Sequence, residues 1–165
     1  MPTATYVPLA TQTLGSAAAS ITFSSIPGTY TDLRLVLTCT MSAGDVVIVQ
    51  FNGDTATNYS ETYMGGDSTA TVRFANRTSV AQIQLNNLTA GSTTVPMAFT
   101  AEMFSYAGST NKTLLGQASL DLNGSGSIEE VIGLWRSTSA ITSVVLKLIG
   151  GNNFSIGTTA TLWGI

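Results

Sequence analysis

Few residues of this chain could carry out acid–base or covalent chemistry. The sequence contains no histidine, which removes the Ser-His-Asp triad, the Cys-His dyad and the most common zinc ligand. It also contains no P-loop and no dinucleotide-binding fingerprint. Nine carboxylates remain. Two carboxylates held roughly 5 to 9 Å apart can hydrolyse a glycosidic bond without histidine.

The carboxylates with the best claim to such chemistry are Asp54, Glu61 and Asp67, which share one polar stretch, and Glu102, which lies on a predicted strand. Their spacing along the chain does not bring any two of them together, because the mechanism depends on distance in space. We therefore predict that the chain is not an enzyme and assign no catalytic residue. A glycan-degrading enzyme is the alternative that these acids leave open.

Residues 121–128 have the form of the first half of a calcium-binding loop. Oxygen-bearing side chains stand at its first, third and fifth places, and Gly126 stands at the sixth. The twelfth place, where a bidentate acid is expected, is Ile132. A hairpin turn at residues 123–126 is the better interpretation, so we assign no metal site and no cofactor.

Cys39 is the only cysteine. It ends an apolar strand-like run, so a small buried side chain is the expected role. A disulfide to another chain is the alternative, since no second thiol is present within this one.

The chain is unusually poor in charge. Charged residues make up 9% of the sequence and the net charge is −3, whereas an average soluble domain is roughly 25% charged. The six basic residues are scattered, which excludes a phosphate-binding stripe and predicts no nucleic-acid partner. No run approaches the roughly 18 apolar residues of a membrane span, and no signal peptide is visible. A surface of hydroxyls, amides and glycine loses little on being buried, which favours a role in an assembly.

Short runs of alternating apolar and polar residues, separated by Gly, Asn, Asp, Ser and Pro, predict an all-β fold. We expect one domain spanning residues 1–165. It should be a two-sheet antiparallel sandwich, jelly-roll-like, with about ten short strands and an extended N-terminal arm. The strands are predicted at residues 6–14, 21–26, 32–40, 46–51, 71–75, 80–85, 97–106, 112–122, 128–136, 143–149 and 158–165, with a weak strand near residues 61–64.

Two segments supply candidate contact residues. Residues 1–14 are either an arm that adds a strand to a neighbour's sheet or an edge strand of their own domain, because Pro8 cannot donate to a central ladder. Residues 55–68 are predicted to form a long polar loop. The candidate contacts are Tyr6, Val7 and Leu9 in the first segment and Tyr59 and Tyr63, expected to be exposed, in the second.

Four stretches carry a resemblance to a known family. They are residues 11–27, residues 30–36, the motif Phe51-Asn52-Gly53-Asp54-Thr55 with Asn58-Tyr59-Ser60, and residues 154–165, which end in Leu162-Trp163-Gly164-Ile165. As a set they resemble small virion proteins of tailed bacteriophages. The resemblance covers both ends and the first third of the chain, and the middle only by pattern.

The resemblance implies a jelly-roll-type sandwich on the exterior of a virus particle. The expected function is capsid decoration, in which the protein bridges capsid subunits and stabilises the shell. The alternative is a tail or fibre module that binds a host-surface glycan. The implied partners are the major capsid protein or other virion proteins and further copies of the chain, with a trimer favoured. The protein would be made in the host cytoplasm.

Overall fold

A computed structural model describes residues 5–69 and 72–165 of the chain. Those residues form strands and no helix, and the strands are arranged in two antiparallel sheets. This confirms the predicted all-β sandwich. The strands are β1 (Val7–Thr13), β2 (Ser20–Phe23), β3 (Leu33–Cys39), β4 (Val47–Phe51), β5 (Tyr59–Asp67), β6 (Val72–Val80), β7 (Ile83–Gln84), β8 (Met97–Phe104), β9 (Lys112–Asp121), β10 (Gly126–Trp135), β11 (Val144–Leu148) and β12 (Thr159–Gly164).

The two sheets differ in size. The larger sheet has eight strands in the order β1-β12-β3-β8-β9-β10-β5-β6, and the smaller has four in the order β2-β11-β4-β7. Strands β8, β9 and β10 follow one another as consecutive hairpins, whereas β12 returns from the end of the chain to lie between β1 and β3. Most neighbours in the sheets are therefore distant in sequence.

The core lies between the sheets and follows the predicted alternation. In β3 the side chains of Leu33, Leu35, Leu37 and Cys39 are buried, while the intervening residues face outward. All five residues of β4 are buried, as expected for a central strand that is apolar on both faces. One hydrophobic cluster contains residues of both sheets. Burial of this apolar surface is the main stabilising term.

The predicted loop at residues 55–68 is wrong over most of its length, whereas the weak strand predicted near residues 61–64 is confirmed and is longer than expected. Residues 59–67 form β5, an interior strand that pairs with β10 on one side and β6 on the other. Hydrogen bonds on both edges outweigh the low strand propensity of a polar, glycine-containing segment. Gly65 is required there, because a Cβ at this position would lie 2.4 Å from the carbonyl oxygen of Ile128.

The strands predicted at residues 71–75 and 80–85 are also revised. One longer strand, β6, covers residues 72–80, and only Ile83 and Gln84 of the second segment form a strand. Thr71 lies outside the described residues. β6 is an edge strand, and most of its side chains are exposed on both faces, which explains why its sequence lacks a clear apolar alternation.

The N-terminal segment is an edge strand of its own domain. Residues 7–13 pair with β12, and a bulge between Pro8 and Ala10 leaves Leu9 as the extra residue. Gln12 fixes the strand further by donating to the carbonyl oxygen of Thr22 at 2.6 Å. Of the two alternatives for this segment, the edge strand is therefore confirmed for residues 7–13. Residues 1–4 of the predicted arm lie outside the described residues.

Candidate interaction face

The structure separates the five predicted contact residues. Tyr59 is completely buried, so the prediction that it is exposed is wrong. Tyr59 lies on an interior strand, and its side chain points into the core. Tyr63 is half-buried, with the guanidinium of Arg77 5.8 Å from its ring centroid. Tyr6 stays 46% exposed. Val7 is half-buried, and Leu9 packs against the core.

The motif at residues 51–60 builds the turn after β4. The carboxylate of Asp54 accepts hydrogen bonds from the indole Nε1 of Trp135 at 2.7 Å, from Asn58 Nδ2 at 3.0 Å and from the amide of Ala56 at 2.9 Å. The hydroxyl of Tyr59 donates to the carbonyl oxygen of Asp54 at 3.1 Å. The hydrogen bond from Trp135 holds the pKa of Asp54 below its ordinary value of 3.8. These residues therefore stabilise a turn against the aromatic core.

The other three acids named for glycoside hydrolysis each face an arginine. Glu61 and Asp67 lie on β5 and Glu102 lies on β8, and none of the arginines is shared. Glu61 is 3% exposed and also accepts the amide of Gln84 at 2.6 Å. The N–O distances of the ion pairs are 2.7 Å for Arg77–Glu61, 3.1 Å for Arg73–Asp67 and 2.7 Å for Arg34–Glu102.

Two buried carboxylates that the sequence did not single out anchor loops. Glu129 is 2% exposed and accepts the amides of Asn87, Leu88 and Thr89 at 2.5, 3.0 and 3.4 Å. Burial raises the pKa of Glu129, and these hydrogen bonds only partly oppose it. Asp45 is 6% exposed. Burial alone would raise the pKa of Asp45. Hydrogen bonds from residues 150, 46 and 152 together have the larger effect and hold this pKa below its ordinary value of 3.8.

Cys39 and Lys112 are both buried. Cys39 is 2% exposed and burial raises the pKa of its thiol to about 12, which confirms the predicted role as a small buried side chain. Lys112 is 1% exposed, and its ammonium donates to the carbonyl oxygens of Gly108, at 2.7 Å, and Thr110. Burial lowers the pKa of Lys112. The two hydrogen bonds from the ammonium of Lys112 fix the backbone of the loop between β8 and β9.

The calcium-like segment is the hairpin that joins β9 to β10. Residues 122–125 form the loop, and the carboxylate of Asp121 accepts the amide of Gly124 at 2.9 Å. Asn123 and Gly124 have φ angles of 62° and 92°, which suits their residue types. The predicted hairpin is thus confirmed. The described part of the chain contains no group of three or more His, Cys, Asp or Glu arranged to hold a metal ion.

A broad surface remains, which we call the outer face: the side of the eight-stranded sheet turned away from the core. Strand pairing aligns its side chains in rows that cross β12, β3, β8, β9, β10, β5 and β6. One row is Thr161-Val36-Thr100-Gln117-Glu130-Met64-Phe74, and the next is Thr159-Thr38-Ala98-Ser119-Ile128-Gly66-Val72.

The two ends of the outer face differ in chemistry. The end formed by β10, β5 and β6 carries five exposed large apolar side chains, and we call it the apolar half. Isolated exposed apolar residues are ordinary, whereas a contiguous group marks a contact site. Glu130 is exposed in the middle of this group, paired in register with Met64. The apolar side chains are Met64, Val72, Phe74, Ile128 and Ile132, which are 54–82% exposed.

The end formed by β1, β12, β3 and β8 is rich in threonine, and we call it the threonine half. Cross-strand hydroxyl pairs join Thr11 to Thr161 and Thr13 to Thr159, with Oγ1–Oγ1 distances of 3.1 Å in both. Thr38 continues this array on β3. The sequence signal was present, since Thr-x-Thr occurs in both β1 and β12, but it does not reveal that the two strands are neighbours.

A groove of about 380 Å³ lies on the outer face, between the two halves. It is lined by the small side chains of Ala98, Thr100 and Ser119 together with Gln117, and on the apolar side by Met64 and Ile128. The outer face therefore combines a groove with an apolar end and a threonine-rich end, which are features that suit a contact with another protein.

Comparisons of the chain with known proteins identified no related protein. No protein-family model, no curated protein and no solved structure matches the chain. Within the described residues, no helix has the length and apolar character needed to cross a membrane.

Proposed function

We propose that this chain is a capsid decoration protein of a tailed bacteriophage, without enzymatic activity, which binds across neighbouring capsid subunits and stabilises the shell. The observation that carries the proposal is the outer face. It spans eight strands, and its strand residues present few charges: Arg34 and Glu102, which pair with each other, together with Asp121 and Glu130. Such a surface can be covered without desolvating many charges.

The strand order supports a jelly roll as the scaffold. In the smaller sheet, β2-β11-β4-β7 follows the order of one sheet of an eight-stranded jelly roll, and β3, β10, β5 and β6 follow the order of the other. The hairpin β8-β9 is inserted between β3 and β10, and β1 and β12 extend the sheet beyond β3. Jelly rolls are common in viral capsid proteins, although a fold alone does not define a function.

The sequence resemblance to small virion proteins supplies the setting. Of its motifs, residues 51–60 have a structural role in the turn around Asp54. The carboxylates that a glycosidase would need are engaged by arginines or by the Trp135 indole. Both observations favour a scaffold over a catalyst.

The threonine half is the surface that we assign to the capsid contact. Its hydroxyls can donate or accept, so they can match a partner's backbone groups without a fixed charge pattern. A ligand that binds only the assembled shell stabilises it by mass action, and many symmetric copies add avidity to a modest single contact.

Glycan binding through Tyr59 and Tyr63 is no longer supported by these residues. Tyr59 lies in the core, and the ring of Tyr63 is partly covered by Arg77. We therefore do not propose the tail or fibre alternative.

The proposal is tested by mixing purified protein with expanded, undecorated capsids of the virus that encodes it and counting the copies retained after sedimentation. Stoichiometric binding over the whole shell, with a higher melting temperature of the shell, is expected. A double variant, Thr38→Asp with Thr161→Asp, should lose at least about tenfold in affinity because it places two charges in the contact.

The matched control places the same charge in the loop between β8 and β9, outside both the outer face and the smaller sheet. Ser109→Asp with Asn111→Asp changes two exposed positions of that loop and should bind like the wild type. Absence of shell binding by the wild-type protein would end the proposal. Equal binding by all three proteins would remove the threonine half from it.

A further inference from the structure

The apolar half exposes about as much apolar surface as the largest patches found on monomeric proteins. Taking a large apolar side chain as about 200 Å² when fully exposed, its five members leave about 650 Å² in contact with solvent. The largest patch of a typical monomer is about 300–600 Å². A stable protein–protein contact buries roughly 800 Å² per partner, so the apolar half would supply most of one such contact.

Glu130 limits what can cover this surface. It lies among the apolar side chains, and none of the ion pairs formed by the described residues includes it. A two-fold contact of the apolar half with itself would bury both Glu130 carboxylates in an interface whose outward-facing residues include no lysine or arginine, which is costly. The covering surface must therefore be a different one, and it should place a cation opposite Glu130.

The chain carries such a cation on the outward side of its smaller sheet. Lys147 of β11 has one polar contact, from Nζ to Oε1 of Gln50 at 3.5 Å, and no ion pair within the described residues. Val145, two residues before it, and Ile149, two residues after it, give its surroundings an apolar character, and Ile149 is 45% exposed.

The other basic residues are less suited to this role. Arg34, Arg73 and Arg77 already form ion pairs, and Lys112 is buried. Arg136 is exposed, but it donates to the carbonyl oxygen of Thr57 and is followed by the hydroxyl-rich residues 137–139.

We propose that the apolar half of one copy docks on the outward side of β2 and β11, in the smaller sheet of a second copy, with Glu130 opposite Lys147. Because the two surfaces differ, the contact is head-to-tail, and repeating it produces a ring or an open chain of subunits. The inference rests on the proposed function for its setting, because assembled subunits would present many threonine halves at once. Its test uses the isolated protein, so its failure is distinct from failure to bind capsids.

The test is a charge exchange followed by sedimentation velocity and light scattering over a range of concentrations. The wild type should assemble. Glu130→Lys and Lys147→Glu should each raise the dissociation constant at least about tenfold, because each places like charges opposite one another. The double variant Glu130→Lys/Lys147→Glu, whose net charge equals that of the wild type, should return to within about threefold of it.

Two further variants keep the outcome unambiguous. Phe74→Ser should also weaken assembly at least about tenfold, because Phe74 is 82% exposed in the subunit and is the largest side chain of the apolar half. Thr38→Lys adds a cation to the threonine half and should assemble like the wild type. Circular dichroism confirms that each variant is folded.

The proposal is overturned by a monomeric wild type, by assembly that does not respond to Phe74→Ser, or by a double variant that is no better than the two single ones. Restoration by the double variant supports it, since no effect on folding would make two damaging changes cancel.

Discussion

Removing the carboxylate of Asp54 perturbs one turn and one buried indole at once. In the native protein it accepts the Nε1–H of Trp135, the side-chain amide of Asn58 and the backbone amide of Ala56, at 2.7–3.0 Å. Asp54→Ala deletes all three hydrogen bonds. It leaves the indole nitrogen of Trp135, which is 3% exposed, without its acceptor.

The expected magnitude follows from those contacts. A hydrogen bond to a charged group contributes about 1.5–3 kcal/mol, and a buried donor left without an acceptor costs about 1–3 kcal/mol. The two bonds near the surface contribute less, so we expect Asp54→Ala to lower the free energy of unfolding by about 3 kcal/mol. Asp54→Asn keeps an acceptor oxygen for the indole and should cost about 1 kcal/mol.

The assay is urea unfolding followed by tryptophan fluorescence. Asp121→Asn is the matched control, because the carboxylate of Asp121 accepts a single amide in an exposed hairpin, and it should change stability by less than about 0.5 kcal/mol. The reasoning is refuted if Asp54→Ala unfolds within about 0.5 kcal/mol of the wild type.

The same variant has a defined pH dependence. The pKa of Asp54 is lowered in the folded protein, so its contribution is present above the ordinary value of 3.8 and is lost as the pH falls below it. The difference in the free energy of unfolding between the wild type and Asp54→Ala should therefore become smaller as the pH is lowered below about 3.8. A constant difference would contradict the charged state assigned to the carboxylate.

Three further predictions concern buried groups and one strained turn. Cys39, with a thiol pKa of about 12, should not react with Ellman's reagent at about pH 8 until denaturant is added; rapid labelling of the native protein would contradict its burial. Glu129→Ala should accelerate amide hydrogen exchange at residues 87–89, whereas Glu130→Ala next to it should not, and equal exchange in both would remove the anchoring role. Gly126→Ala, whose Cβ would lie 1.9 Å from the carbonyl oxygen of Leu120 at a φ of +138°, should destabilise by at least about 2 kcal/mol in thermal unfolding. Gly15→Ala, which meets nothing within 4 Å, should be within about 0.5 kcal/mol of the wild type, and similar melting of the two variants would argue against the strain.

Some elements were predictable because the information for them is local. The alternation from Leu33 to Cys39 defines a strand with one buried face. The hairpin at residues 122–125 follows from Asn and Gly at positions that need positive φ. These patterns act over two to four residues, so they are readable before the fold is known.

The candidate face was not predictable in the same way. β5 is polar and contains two adjacent glycines, yet it is an interior strand because β10 and β6 hydrogen-bond to both of its edges. Because this polar segment predicts a loop, it also predicts an exposed Tyr59. The aromatic contacts of Tyr59 with Phe51 and Trp135 instead place it in the core. Local composition carries no record of which distant strand lies alongside.

The class of fold, the positions of most strands, the burial of Cys39 and the scarcity of charge follow from the sequence alone, since each depends on residue type and on a period of two along the chain. The contacts of Asp54 with Trp135 and of Glu61 with Arg77 emerge only once the chain is folded, as does the collection of threonines and large apolar side chains at opposite ends of one sheet. These features depend on strand pairing, which joins segments far apart in sequence. The choice of partner and register is made by the packing of the whole core.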